Sequence, residues 1–384
     1  MADESLSGSS RDRVKVRFPF GLLGMIGLIV IVEAVISARR AEFCTPWADD
    51  WRLSAEAARS KATQADLLCF GDSLVKYGLA PRIIEARSGL TAYNLATSGG
   101  TMASSYFLFR QAIEAGARPK AVVVDVEALM LLEEKPPKPL NFAELATVRD
   151  CLDLAWTEQD GDLLGALLAG KCLASYRWRF EIRQNVRAAL DGQGGSNNSS
   201  LASFRTLWNR EQGAQPTPAD RVYHPSESVL IAGVSPEKWA CAPAERVYAE
   251  RFLALAKTRE IPVYWLIPPM SPGVHNHRAI LGTDARYDRF VQSIVSKYPS
   301  AIVLDGRYSG YDDSVHVDHL HLNRRGASIL SADLAEMVLE DLTSRRTGPA
   351  VRRALPPLAG RTGDEPISKI ARFRNSNPAH GTLR

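Results

Sequence analysis

Five short apolar runs, separated by stretches of helical character, constrain this chain more than any other feature. Ala121–Val126 (AVVVDV) is apolar at nearly every position and rich in valine, the composition of a strand buried on both faces of a parallel sheet. Ile261–Ile267 (IPVYWLI) and Ala301–Leu304 (AIVL) have the same character, and Ala65–Cys69 (ADLLC) and Thr91–Ala96 (TAYNLA) complete the set. Helical segments are read after Ser73 and over Ser104–Ala115, Ala244–Lys257, Arg286–Lys297 and Arg324–Leu342. Strands alternating with helices predict right-handed crossovers and an α/β fold, its parallel sheet covered by helices on both faces. Ligands of such sheets bind beyond the carboxyl ends of the strands, and the polar motifs of this chain fall there.

Ahead of the sheet, Phe18–Ile36 (FPFGLLGMIGLIVIVEAVI) is a nineteen-residue run whose one charge is Glu33. At ~1.5 Å per residue it matches the ~30 Å of a hydrocarbon core. Arg11, Arg13, Lys15 and Arg17 precede it and Arg39 and Arg40 follow, a bias that sets residues 1–17 in the cytoplasm and the rest on the far, periplasmic side. A cleaved signal peptide is the alternative, because Ile36-Ser37-Ala38 fits a small-residue cleavage site. Against it, the run exceeds an ordinary signal core of ~7–15 residues. The domain reading is a span at 18–36, a linker at 37–64 with Trp47 and Trp51 suited to a membrane interface, and the sheet-bearing domain over 65–344. A mostly helical insertion at about 131–237 lies over the site end of the sheet, and 345–384 reads as a disordered basic tail.

That tail carries nine Lys and Arg against two Asp and Glu, so the overall +4 less the tail's +7 leaves residues 1–344 at −3. A mildly acidic body argues against a nucleic-acid partner. Five cysteines in 384 residues make no disulfide framework; Cys151 and Cys172 are the one pair suited to bridging outside the cytoplasm, and Cys69 reads as a buried strand residue. Within the insertion, Pro136 and Pro137 mark a Pro-rich start and 192–200 a flexible loop. Asn197 and Asn198 fit the glycosylation pattern. Arg179, Arg183 and Arg187 recur every fourth residue and share one helix face, suited either to an anionic polymer or lipid headgroup or to plain solvation.

Acyl transfer needs a nucleophile at a sharp turn, an imidazole to take its proton, a carboxylate to orient that imidazole, and donors for the oxyanion. Ser73 follows a strand in Phe70-Gly71-Asp72-Ser73-Leu74, where Gly71 permits the turn. Asp318 and His321 stand three apart in Asp318-His319-Leu320-His321-Leu322-Asn323, close enough for the carboxylate to bond one ring nitrogen while the other faces Ser73. Gly99, after the second strand, offers a backbone N–H beside that of Ser73 for an oxyanion. Asp72 and His319 are supporting candidates, Asp72 as a loop brace. His316, His319 and His321 form an HxxHxH cluster, but no clear further ligand is nominated, so neither metal nor cofactor is expected. His275 and His277 read as loop histidines.

Taken together, Gly71-Asp72-Ser73-Leu74, Asn94-Leu95-Ala96-Thr97-Ser98-Gly99 and the Asp318–Asn323 block with Gly326 resemble the SGNH (GDSL-type) hydrolase superfamily, in its order, over about 65–130 and 246–342. The resemblance implies a three-layer, flavodoxin-like parallel sheet and Ser73, His321 and Asp318 as catalytic residues. One block departs. Where the family has Gly-x-Asn-Asp, with the asparagine side chain in the oxyanion hole, this chain reads Glu127-Ala128-Leu129-Met130.

An N-terminal anchor, an inserted region and a degenerate third block are similar to the membrane-attached branches that O-acetylate alginate or peptidoglycan or assemble D-alanyl-lipoteichoic acid. That likeness implies acyl ester or glycan substrates and a multi-span membrane-bound O-acyltransferase as partner. Hydrolysis and transfer stay open. So does a different class of function: a catalytically silent scaffold that binds such a partner or a cell-envelope polymer.

Overall fold

The computed structural model describes residues 20–132, 139–192, 198–217, 221–225, 239–344 and 352–359. Residues 1–17, the start of the Pro-rich run, Asn197 with most of its loop, and the tail beyond 359 lie outside the described residues. The N-terminal part forms α1 (Phe20–Ala38), α2 (Arg40–Phe43) and α3 (Pro46–Ala58). The sheet region opens with β1 (Leu67–Gly71), α4 (Ser73–Gly78), α5 (Pro81–Ser88), β2 (Ala92–Asn94), α6 (Met102–Glu114) and β3 (Ala121–Asp125). The inserted region supplies α7 (Pro139–Leu145), α8 (Val148–Glu158), α9 (Gly161–Cys172), α10 (Ala174–Arg177), α11 (Arg179–Leu190) and α12 (Asn198–Arg210). The chain then forms α13 (Pro243–Thr258), β4 (Val263–Ile267), α14 (Pro272–Ile280), α15 (Thr283–Val295), β5 (Ala301–Asp305), α16 (Arg324–Ser344) and β6 (Arg352–Ala354).

The strands make a six-stranded sheet in the order β2-β1-β3-β4-β5-β6, and every neighbouring pair is parallel. The register sets Gly71 beside Asp125 and Ile267 beside Asp305, so the strand ends form one rim. Successive strand residues point to opposite faces, which divides the core in two. Leu68, Phe70, Val122, Val124, Trp265 and Val303 meet Trp51 and Ala55 of α3, Phe107 and Phe109 of α6, Phe252 of α13 and Phe290 of α15. Leu67, Cys69, Val123, Tyr264, Leu266 and Leu304 meet Val75 of α4, Ile84 of α5, and Leu330, Leu334 and Val338 of α16. Local signals fix the helix ends. Thr101 and Ser104 form a reciprocal capping box at α6, and Gly89, with φ 73°, terminates α5.

Helix α1 contains an 18-residue stretch, Gly21–Ala38, of mean hydropathy 2.3 with no part of it buried. It is long and apolar enough to span a membrane, and a signal sequence has the same properties.

Four expectations change. The stretch expected as a linker is instead helical and docked: Thr45 caps α3, Pro46 occupies its first turn, and Trp51 is fully buried, its ring edge-on to Phe142 at 5.2 Å. A buried tryptophan of this kind contributes about 3–5 kcal/mol against truncation. Trp51 therefore belongs to the core and not to a membrane interface, whereas Trp47 is exposed. The expected tail begins with structure: β6 pairs with β5, Arg352 bonds Asp305 and Asp288, and Leu355 and Leu358 are buried. Among the described residues the inserted helices do not roof the rim. Phe142 and Leu145 of α7 and Leu154 of α8 pack into the α3–α6 side of the core, and the described residues that reach toward the rim are later ones, where the Gln215 N–H donates to the Lys76 carbonyl and the Tyr223 N–H to the His316 carbonyl. Lastly, Cys151 is buried, Cys172 exposed, and both are free thiols, so the bridge between them is not formed. Cys69 is a buried β1 residue, its thiol pushed up to about 12 by burial.

Candidate active site

The turn after β1 is possible because of Gly71. Its φ is 142°, and a Cβ there would lie 2.1 Å from the Asp125 carbonyl oxygen, so no side chain fits. Asp72 follows as the N-cap of α4, its Oδ1 accepting from the Leu74 N–H at 2.8 Å. Its Oδ2 accepts from the Glu127 N–H at 2.7 Å and so ties the end of β1 to the end of β3. Asp72 is thus the brace the sequence suggested. Burial drives its carboxyl up to about 7, opposed by those two N–H donors and reinforced by the charge of Glu127.

Ser73 stands at the first position of α4, at the rim. Its Oγ lies 2.8 Å from His321 Nε2, although the two residues are 248 apart in the chain. His321 Nδ1 is 2.8 Å from Asp318 Oδ2 and 3.0 Å from Oδ1. Asp318 Oδ1 also accepts from the N–H groups of Leu320 at 2.8 Å and His321 at 2.7 Å. Burial alone would raise the Asp318 carboxyl, but the bonds from the His321 ring, its charge and the two backbone donors hold it far below the usual carboxylate range. An ionised Asp318 accepts at Nδ1–H, which leaves Nε2 as the acceptor facing Ser73. The three side chains form a continuous hydroxyl–imidazole–carboxylate chain.

Gly99, with φ 68°, lies in the turn 97–100, which presses on β1. The Thr97 N–H donates to the Gly71 carbonyl at 3.1 Å, and a Cβ on Gly100 would come within 2.6 Å of that same oxygen. Ser98 is gripped from three sides. Its N–H donates to Asp50 Oδ2 at 2.9 Å, its carbonyl accepts from Trp51 Nε1 at 3.1 Å, and its hydroxyl meets the Tyr77 hydroxyl at 3.2 Å. Tyr77 packs edge-on against His321 at 5.1 Å. Asp50 Oδ1 in turn pairs with the fully buried Lys76 at 2.6 Å and accepts from Trp208 Nε1 at 3.3 Å.

Sequence reasoning missed these partners, because Asp50, Trp51 and Tyr77 carry no motif of their own. Asn94 and Asn323, by contrast, stood inside the motif blocks. Asn94 Nδ2 donates to the carbonyls of Val75 and Leu79 at 2.9 and 3.0 Å, holding the far end of α4. Asn323 Nδ2 donates to Ser314 and Arg221 carbonyls at 2.8 and 3.0 Å, which fixes the loop carrying Asp318 and His321.

The other histidines are not part of the chain of bonds. The ring of His319 makes no described bond to Ser73, His321 or Asp318; its Nδ1 is buried without a hydrogen bond, and its carbonyl accepts from the Ser271 N–H at 3.4 Å. His316 is buried with Nδ1 at 2.8 Å from the Asp312 carbonyl, and burial lowers its ring pKa. His275 turns to Asp284, Nδ1 to Oδ2 at 3.1 Å. Among the described residues no three His, Cys, Asp or Glu side chains converge to hold a metal.

Leu129 stands where the resemblance expects the oxyanion asparagine and carries no polar side chain, while Glu127, at the first position of that block, turns its carboxylate elsewhere. Oε1 accepts from Arg278 Nη1 at 2.7 Å and Oε2 from the Leu129 N–H at 2.6 Å, while Arg278 Nε also pairs with Asp284 at 3.0 Å. The group is an acceptor locked in a buried ion pair, so it donates nothing to the rim. No family model matches the chain, and no curated protein does.

Proposed function

We propose that this chain is a membrane-anchored, extracytoplasmic serine ester hydrolase or O-acyltransferase of SGNH type, acting on acyl esters of a carbohydrate or cell-envelope polymer. The observation that carries the reading is the 2.8 Å contact of Ser73 Oγ with His321 Nε2, backed by Asp318 on Nδ1. A pair so distant in sequence meets at a strand-end rim in the geometry of base-activated nucleophiles. A parallel sheet with a core on each face agrees with the three-layer arrangement that the resemblance implies.

In this mechanism Ser73 Oγ attacks the ester carbonyl carbon while its proton passes to His321 Nε2. The oxyanion is met by the N–H groups of Ser73 and Gly99. As the intermediate collapses, the carbonyl carbon–alkoxy oxygen bond breaks, and Nε2 returns the proton to the leaving alcohol. Water or a glycan hydroxyl then attacks acyl-Ser73, losing its proton to Nε2, which hands it back to Ser73. Asp318 orients the ring and offsets the imidazolium charge. The missing third donor lowers the rate by on the order of 10²–10³. Such a rate suits an enzyme whose acyl donor is delivered by a partner, and the resemblance nominates a multi-span membrane-bound O-acyltransferase for that role.

The lost asparagine at Leu129 favours a second reading, a silent scaffold for such a partner. Labelling the full-length protein with a fluorophosphonate separates the two. The proposal expects labelling that Ser73→Ala abolishes. Labelling that survives Ser73→Ala overturns it, and folded wild-type protein that stays unlabelled favours the scaffold.

A further inference from the structure

Among the described helices of the inserted region, α11 is the one whose residues are all left unburied, and it lies where the chain leaves α1. Ser175, in the short helix just before it, donates its N–H to Glu33 Oε2 at 3.0 Å and its hydroxyl to Oε1. Glu33 is in the last two turns of α1, about 7–8 Å from its end at ~1.5 Å per residue. Asn185 Nδ2 of α11 donates to the Glu42 carbonyl of α2 at 3.1 Å. Both contacts hold α10 and α11 at the level where a membrane-spanning α1 would enter the headgroup layer.

The face that α11 turns away from Asn185 is neither plain polar nor plain apolar. Arg179, Arg183 and Arg187 run along it, one helical turn apart. Phe180, Val186 and Leu190 flank them with relative exposures of 51%, 54% and 82%. The Arg179 guanidinium lies over the rings of Tyr176 and Phe180 at 4.3 and 4.6 Å. A merely solvated face has no use for three large exposed apolar groups beside its arginines. Basic residues lining an apolar stripe are the pattern of a helix lying in a bilayer interface, apolar side chains in the acyl boundary and cations among the headgroups.

We infer that α11 docks on the bilayer that α1 crosses, its three arginines binding anionic phospholipid headgroups. The occupant is lipid rather than a soluble polyanion, because the helix is held beside the span at headgroup depth and carries apolar groups that a polyanion would leave wet. The inference rests on α1 being a membrane anchor. It gives the domain a fixed tilt on the membrane and thereby a fixed height for the Ser73 rim.

The test is hydrogen exchange of the full-length protein in nanodiscs of phosphatidylcholine alone or with phosphatidylglycerol. Amides of residues 179–190 should exchange more slowly in the anionic discs. The slowing should vanish in the triple variant Arg179→Gln, Arg183→Gln, Arg187→Gln, a loss on the order of a hundredfold for three arginines, and it should shrink at high salt. Equal exchange in both discs overturns the inference, as does slowing produced in neutral discs by a soluble anionic polysaccharide. Failure of the underlying reading is seen separately: a chain without a membrane-spanning α1 is released from membranes by alkaline carbonate.

Discussion

Two carboxyl groups at the same rim, Asp318 and Asp125, are built in opposite ways. Asp318 has a side chain 42% exposed and gathers the His321 ring and two backbone N–H donors, which together outweigh its burial and keep it ionised. Asp125 is buried, and its Oδ2 has no hydrogen bond. Burial first, then the charges of Asp72 and Glu127, push it well above the usual range, with Arg278 a partial counterweight. Residue type is the same; what differs is the count of convergent donors and the number of like charges nearby. One end of the rim gathers donors that favour a charged carboxylate; at the other, burial and neighbouring acids disfavour the charge on Asp125.

The sharpest test makes one substitution in both places. Asp318→Asn keeps the shape but removes the charge and the preferred acceptor for Nδ1–H, so fluorophosphonate labelling should slow by about 10⁴. Asp125→Asn should leave the labelling rate close to wild type. Comparable losses in the two variants would erase the distinction between a working and a bracing carboxylate.

A third acid separates burial from repulsion. Asp50 is as buried as Asp125 but has a cation, Lys76, at 2.6 Å. Asp50→Asn should destabilise the protein by roughly 3–5 kcal/mol, because Lys76 is left charged and unpaired in the interior. Denaturant unfolding measures it. Lys76→Met together with Asp50→Asn should recover much of the loss, and failure of the double variant to improve on the single would mean that the pair is not the source.

The raised carboxyls of Asp72 and Asp125 also predict a pH dependence of stability. A carboxyl whose folded pKa is raised costs nothing below its unfolded pKa of ~4, and costs progressively more as pH climbs through the folded value. For Asp72 that window runs from ~4 to about 7, and Asp125 shifts in the same direction. Asp318 acts with the opposite sign: its contribution is present above ~4 and is lost as pH falls through its depressed folded pKa. Asp125→Asn should therefore raise the melting temperature by roughly 2–4 °C per kcal/mol of repulsion relieved at pH 8, and by less at pH 5. An equal gain at both pH values would show that packing, not charge, was relieved.

What could be read from the chain follows the range of the physics. The apolar runs located all five of the strands they marked, because burial on both faces writes itself into composition. Ser73, Asp318 and His321 were legible because a glycine turn and an Asp–His spacing of three are local devices. β6 was not, since Arg352-Arg353-Ala354 has no apolar run; charges hold it, Arg352 to Asp288 and Asp305 and Arg353 to Asp341. α3 was missed because Pro46–Ala58 is mixed in polarity, and its role depends on Asp50 and Trp51 reaching Ser98, 48 and 47 residues away. In the third block the sequence revealed the lost asparagine at Leu129 but not the ion pair of Glu127, since Arg278 lies 151 residues further on.

The smallest expected effect sits between the two kinds of group. Tyr77 is a neutral residue that touches both the candidate base, ring to ring at 5.1 Å, and the turn that carries Gly99, hydroxyl to hydroxyl at 3.2 Å. Tyr77→Phe keeps the ring against His321 and removes the bond to Ser98, a loss of about 0.5–1.5 kcal/mol for a neutral hydrogen bond, or roughly two- to tenfold in labelling rate. Because Asp50 and Trp51 still hold the Ser98 peptide, the effect should lie at the low end. The pH dependence of labelling should not move, since the imidazole keeps Asp318 and its packing. Tyr77→Ala should move it, because the ring that shields one side of His321 is gone. If Tyr77→Phe alone shifts the pH profile, the hydroxyl acts on the imidazole, and the turn that carries Gly99 and the candidate base are one electrostatic unit rather than two supports that meet at a single side chain.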